Sequence, residues 1–99
     1  MNVEITAQEA KAFIEKNRKN SLLVILDVRT PEEFAEQHLP GALNIDIYDA
    51  DFPEKIAALD RSKTYLVHCK TGGRSAAAVE LMRGMGFAHI SNVVGWMFD

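Results

Sequence analysis

Cysteine is almost missing from this chain: Cys69 is the only one among 99 residues. A single thiol excludes an internal disulfide, a C-x-x-C redox pair and a thiolate zinc cage, and it suits a reducing compartment. The three histidines, His38, His68 and His89, stand far apart without ligand spacing, so no metal site or other cofactor is expected. No basic tract interleaves with aromatics and the formal net charge is -3 at pH 7, which argues against a nucleic-acid partner. Long apolar runs are lacking too. The longest aliphatic stretch, Leu22 to Leu26, is far too short to span a bilayer, and Met1-Asn2-Val3-Glu4-Ile5 has neither a basic n-region nor an apolar h-region. Together these absences predict a soluble, cytoplasmic protein without a membrane partner. There is no repeat, linker or low-complexity tract, and 47% hydrophobic residues suffice for one core, so a single domain over residues 1–99 is expected.

The apolar pattern alternates between strands and helices. Thr6-Ala7-Gln8-Glu9 has capping-box spacing, and Ala10, Phe13 and Ile14 share the face of a first helix of about three turns. Leu22 to Val28, apolar except at Asp27, reads as a strand buried on both faces. Thr30-Pro31-Glu32-Glu33 opens a short helix that carries Phe34 inward, with an N-cap, a proline at N1 and a glutamate at N3. Residues 42–47 can form a strand, 51–59 a helix with Ile56 and Leu59 facing the core, and 64–68 another strand. The run 74–85 reads as a helix apolar almost all round and hence largely buried, with Gly84 and Gly86 to end it, and 90–94 as a last strand. Such alternation predicts an α/β domain with a mainly parallel sheet and helices on both faces.

Chemistry concentrates in Cys69-Lys70-Thr71-Gly72-Gly73-Arg74, between the strand 64–68 and the helix that follows it. Two glycines allow a tight loop whose successive NH groups point inward, while Lys70, Arg74 and the positive end of the helix dipole favour anions. A thiol at the base of this loop is pushed towards thiolate, the nucleophilic form that a free cysteine with a pKa of about 8.5 barely populates at neutral pH. A lone cysteine on a strand is otherwise commonly inert core, but Lys, Thr, Gly, Gly, Arg and Ser after it cannot continue a buried strand. Ligands of open α/β sheets sit at the carboxyl ends of strands, where Cys69 falls and where Asp27-Val28-Arg29 also falls. Asp27 and Arg29 read equally well as supports of the site or as an exposed, turn-forming ion pair. His68 alternates away from Cys69 and reads as packing, and Trp96, Met97 and Phe98 read as an apolar end that caps the core in preference to lining the site.

Three stretches, in order, resemble the signatures of the single-domain rhodanese family, the thiosulfate sulfurtransferase-like proteins. Leu26-Asp27-Val28-Arg29-Thr30-Pro31-Glu32-Glu33-Phe34 is similar to the first, His38-Leu39-Pro40-Gly41-Ala42-Leu43-Asn44-Ile45 to its continuation, and Val67-His68-Cys69-Lys70-Thr71-Gly72-Gly73-Arg74-Ser75 to the active loop. The resemblance implies a central five-stranded parallel sheet flanked by helices, and a Cys69 that carries sulfane sulfur as a persulfide. It further implies donor binding by Lys70, Thr71, Gly72, Gly73 and Arg74, with Asp27, Arg29 and Ser75 in support. Partners would be a small anionic sulfur donor such as thiosulfate and a thiol or cyanide acceptor, with a protein acceptor as a further candidate. Two departures stand out: Gln37 replaces a common glycine, and Trp96 replaces a second glycine near an end that stops short of the family's usual last helical segment. Rival readings are a non-catalytic rhodanese-like binding module and a phosphatase or arsenate reductase of the same fold. Four residues separate Cys69 from Arg74, one fewer than in phosphatase-type loops, and a tetrahedral phosphate needs the wider ring of NH donors.

Overall fold

In the computed structural model, which describes residues 3–98, strands and helices alternate along the chain. The order is β1 (Val3–Thr6), α1 (Ala7–Lys16), β2 (Leu23–Asp27), α2 (Pro31–Glu36), β3 (Leu43–Asn44), α3 (Phe52–Ala57), β4 (Thr64–His68), α4 (Gly73–Gly84) and β5 (Ile90–Val94). The five strands form one sheet in the order β1-β5-β4-β2-β3. Every pairing is parallel, with Leu26 opposite Val67 and Val67 opposite Asn92.

Strand alternation divides the core in two. Leu26, Val28, Tyr65, Val67 and Cys69 pack with Phe52 and Ile56 of α3 and with Ala78, Val79 and Met82 of α4. On the opposite face Leu66 and Val93 pack with Ala10 of α1 and with Met97 and Phe98. Helices therefore cover both faces, as a parallel sheet requires. Both anticipated capping boxes form: Thr6 with Glu9 starts α1, and Thr30 with Glu33 starts α2 behind Pro31.

Several elements differ from expectation. The strand expected at 42–47 is reduced to β3, although the amides of Ile45 and Ile47 still donate to the carbonyls of Asp27 and Val28. The edge strand β1 has no separate apolar signal in the sequence, because it is short and alternates with polar residues. Phe13 shares its helix with buried Ala10 but is exposed, and Phe34 is only half-buried, stacked on His38 at 3.8 Å. The helix expected at 51–59 spans Phe52–Ala57, with Ile56 buried and Leu59 packed beside the core. Helix α4 is one-sided: Ser75, Ala78, Val79 and Met82 are buried while Ala77 is exposed, since alanine is apolar by composition yet has little surface to hide.

Candidate active site

The end of β4 delivers Cys69, 1% exposed, to the N-terminus of α4. Gly72 makes this possible. It sits at φ +118 as the N-cap of α4, a backbone conformation that residues with a side chain rarely adopt, so the turn favours glycine. The loop is tied to β5 from two sides: the Gly95 amide donates to the Thr71 carbonyl at 3.2 Å, and Asn92 Nδ2 to the Gly72 carbonyl at 3.3 Å.

Donors then converge on the sulfur. The Gly72 amide reaches Cys69 Sγ at 3.2 Å and the Ser75 amide at 3.3 Å, and the Ser75 hydroxyl oxygen stands 3.3 Å away. Burial is the largest single influence on the thiol and raises its pKa. The Ser75 hydroxyl and the amides of Ser75, Gly72 and Thr71 together outweigh it, and the net shift is downward. These residues can hold a thiolate.

Arg74, from the same loop, points elsewhere. Its guanidinium forms two bonds to the Glu33 carboxylate, 2.7 and 3.1 Å long, and lies 5.9 Å from the Tyr48 ring. Glu33 thus closes the α2 capping box and ties α2 to the start of α4. The pair holds the Glu33 carboxyl down at about 2, from an ordinary 4.5, and raises Arg74 further. Lys70 is exposed and has no ion-pair partner among the described residues. With Arg29, Glu33, Glu36, Gln37 and Trp96 it lines a cavity of about 290 Å³ beside the loop. A groove of about 560 Å³ between Ile14, Leu23 and Leu39 lies on the α1 side, across the sheet from Cys69.

Asp27 and Arg29 do not touch the sulfur. They form an ion pair at 2.8 Å on the other face of the sheet, with side chains 0% and 3% exposed, so the exposed surface pair considered from sequence is ruled out. The Asp27 carboxylate accepts from the Arg29 amide and guanidinium, and Arg29 Nη2 also donates to the Gln37 carbonyl at 2.7 Å. The guanidinium faces Phe98 and Trp96 at 5.0 and 6.0 Å. Beside the pair, His68 packs on Phe98 with its Nδ1 3.4 Å from the Cys69 carbonyl and its Nε2 3.6 Å from Asp27 Oδ2. Burial lowers its pKa, with Arg29 acting in the same direction while Asp27 and the Cys69 carbonyl oppose, so the ring is neutral. A neutral imidazole has one N–H, and Nε2 is without a hydrogen-bond partner.

The family model of the rhodanese-like domain matches residues 6–97. The chain belongs to the rhodanese-like domain family. It is 34% identical over 70 residues to the thiosulfate sulfurtransferase PspE of Escherichia coli, covering 71% of this chain and 67% of that one. It is 32% identical over 92 residues to the thiosulfate sulfurtransferase GlpE of Pseudomonas syringae, covering 92% and 79%. A crystal structure of a rhodanese-like domain protein from Staphylococcus aureus superposes with a TM-score of 0.79 at 32% identity, covering 96% of this chain and 87% of that one.

Of the residues that the resemblance implied for the site, the structure brings Gly72 and Ser75 against the Cys69 sulfur, while Arg74, Asp27 and Arg29 bond elsewhere. Asn92 and Glu33 were missed as site residues. A buried asparagine inside Ile90-Ser91-Asn92-Val93-Val94 was the available signal for the first, since a polar side chain in a covered strand needs partners. Glu33 was read only as a cap.

Two outcomes follow from this geometry. Asp27→Ala leaves the Arg29 guanidinium buried without its counter-ion, and urea unfolding should show a loss of about 3–5 kcal/mol; a loss under about 1 kcal/mol would mean that Arg29 finds water. For Glu33 the folded pKa of about 2 lies below the ordinary 4.5, so its contribution is complete above that ordinary value and is lost as pH falls towards about 2. Glu33→Gln removes the charge and keeps an acceptor at N3. The melting temperature of the parent should exceed that of Glu33→Gln near neutrality and the gap should close on acidification across this window; a pH-independent gap would remove the ion pair from the account.

Proposed function

We propose that this rhodanese-like chain moves sulfane sulfur through a persulfide on Cys69. The observation that carries the reading is the sulfur itself, buried at a strand end and met by two amides and a hydroxyl at 3.2 to 3.3 Å. In the first step the Cys69 thiolate attacks the outer sulfur of a donor such as thiosulfate. The donor S–S bond breaks, sulfite leaves with its electron pair, and a new S–S bond forms on Cys69. Lys70, the cation of the loop without an ion-pair partner among the described residues, attracts the anionic donor, while the amides of Thr71, Gly72 and Ser75 stabilise charge on the sulfur. In the second step cyanide or a thiolate attacks the terminal sulfur, and Cys69 departs as thiolate.

No second cysteine can resolve the persulfide, so the acceptor is another molecule, a small thiol, cyanide or a protein. A lone working thiol also suits the cytoplasm. Arg74 serves the shape of the loop in this reading, because both of its amino groups donate to Glu33. That commitment also disfavours phosphate-ester hydrolysis, which would need the arginine turned towards a phosphate in a wider loop. A complete set of donors around Cys69 disfavours a module that only binds partners.

The test is intact mass. Incubation with thiosulfate should add one sulfur atom to the parent, cyanide should remove it with release of thiocyanate, and Cys69→Ser should show neither while keeping its circular dichroism. Turnover of para-nitrophenyl phosphate should be negligible. Phosphate turnover without sulfur loading would overturn the proposal.

A further inference from the structure

Ser75 and Asn92 are buried side by side, 0% and 2% exposed, behind the sulfur, and the orientation of Asn92 is settled by its neighbours. Its Nδ2 faces the Gly72 carbonyl at 3.3 Å and a Glu4 carboxylate oxygen at 3.5 Å. Turning the amide over would set Oδ1 against both oxygens, so Oδ1 must be the atom that faces Ser75 Oγ. Two oxygens in close contact need a hydrogen between them, and only the Ser75 hydroxyl can supply it. The same hydroxyl is 3.3 Å from Cys69 Sγ. One hydrogen therefore has two acceptors, and the charge on the sulfur decides between them.

We infer that Asn92 is a positioning residue that acts on Cys69 through Ser75. While the sulfur is a thiol, Ser75 donates to Asn92 Oδ1 and its free lone pair accepts the Cys69 S–H. When the sulfur ionises, the hydroxyl turns and donates to Sγ, at the expense of its bond to Asn92. Asn92 thus holds the hydroxyl proton whenever Sγ is uncharged and gives it up to the thiolate. On the sulfur-transfer reading, which this consequence alone requires, Sγ is uncharged in the persulfide as well, so the hydroxyl swings back and forth once per turnover.

The other charged groups around the sulfur take no part in the swing. Lys70 and Arg74 belong to the loop and α4, Glu33 on α2 neutralises Arg74, Glu4 on β1 lies beyond Asn92, and His68 is neutral on the far face of the sheet.

A double-mutant cycle read by iodoacetamide alkylation of Cys69 against pH tests the inference, and it needs no sulfur-transfer activity. Ser75→Ala should raise the alkylation midpoint by removing a donor from the thiolate. Asn92→Ala should lower it by about 0.5 to 1 pH unit, because the thiol form loses a hydrogen bond that the thiolate form had already given up. In the Ser75→Ala background Asn92→Ala should leave the midpoint unmoved. Asn92 also anchors the Gly72 carbonyl, and an effect through that anchor would shift the midpoint equally in both backgrounds. Equal shifts, a rise with Asn92→Ala alone, or no shift at all would each overturn the inference. Where Asn92→Ala fails to fold by thermal melting, Asn92→Leu, close to asparagine in size, gives the same comparison. Failure of sulfur loading with a positive cycle would refute the function and leave the relay standing.

Discussion

The ion pair between Asp27 and Arg29 is almost wholly buried, and the carboxyl edge of the sheet is arranged around it. A buried pair is poor evidence of net stability, since the desolvation of both charges offsets most of their attraction. What it supplies is position. Arg29 cannot leave Asp27 without stranding a charge, so its Nη2 also fixes the Gln37 carbonyl at the end of α2 and its flat face fixes Phe98 and Trp96. Helix α2, held at its end, presents Glu33 to Arg74, and Arg74 fixes the first turn of α4. Of the amides that meet the sulfur, that of Ser75 comes from this turn and that of Gly72 from the N-cap before it. Although Asp27 lies on the opposite face of the sheet from Cys69, the geometry of the thiol is linked to it through this series of contacts.

The thiol is activated by dipoles more than by charges. Arg74 is the cation one would name from composition, yet its field at the sulfur is largely cancelled by Glu33, bonded to both of its amino groups. The amides and the hydroxyl remain, together with the positive end of α4 behind them. Hydrogen bonds to a charged acceptor contribute about 1.5–3 kcal/mol each, so three or four of them are enough to outweigh the cost of burying a soft, diffuse anion such as a thiolate. Dipoles at contact distance are also screened little by salt, which leaves the state of the sulfur insensitive to ionic strength.

Much of this was legible in the amino acids because local rules agreed with the tertiary outcome. Thr30-Pro31-Glu32-Glu33 starts a helix by its own chemistry, and residues 64–68 form the expected strand because nothing competes with burial there. Cys69 through Ser75 announced a site because the run breaks a strand with residues that only a loop or a helix start can use. What stayed hidden depends on neighbours distant in sequence. Asn92 becomes informative only once β5 lies beside β4, and Glu33 only once α2 reaches α4, across 41 residues. The exposure of Ala77 and Phe13 was hidden for the complementary reason, since periodicity marks a stripe but not how much of it the neighbouring elements cover.

His68, the last residue of β4, and Cys69, which follows it, place polar atoms on opposite faces of one strand end, both inside the protein. Burying such atoms costs about 1–3 kcal/mol apiece when they lack partners, and the two faces meet that cost unequally. On the α4 face the sulfur has more donors than a thiol can use, a surplus that makes sense only for the charged form. On the α1 face the His68 ring has one hydrogen for two acceptors and leaves Nε2 unbonded. A core selected for stability alone would place two apolar side chains here, as β4 does at Leu66 and Val67. The strand departs from that rule at its carboxyl end only, where parallel sheets present their ligands, and the surplus of donors lies on the side of the thiol.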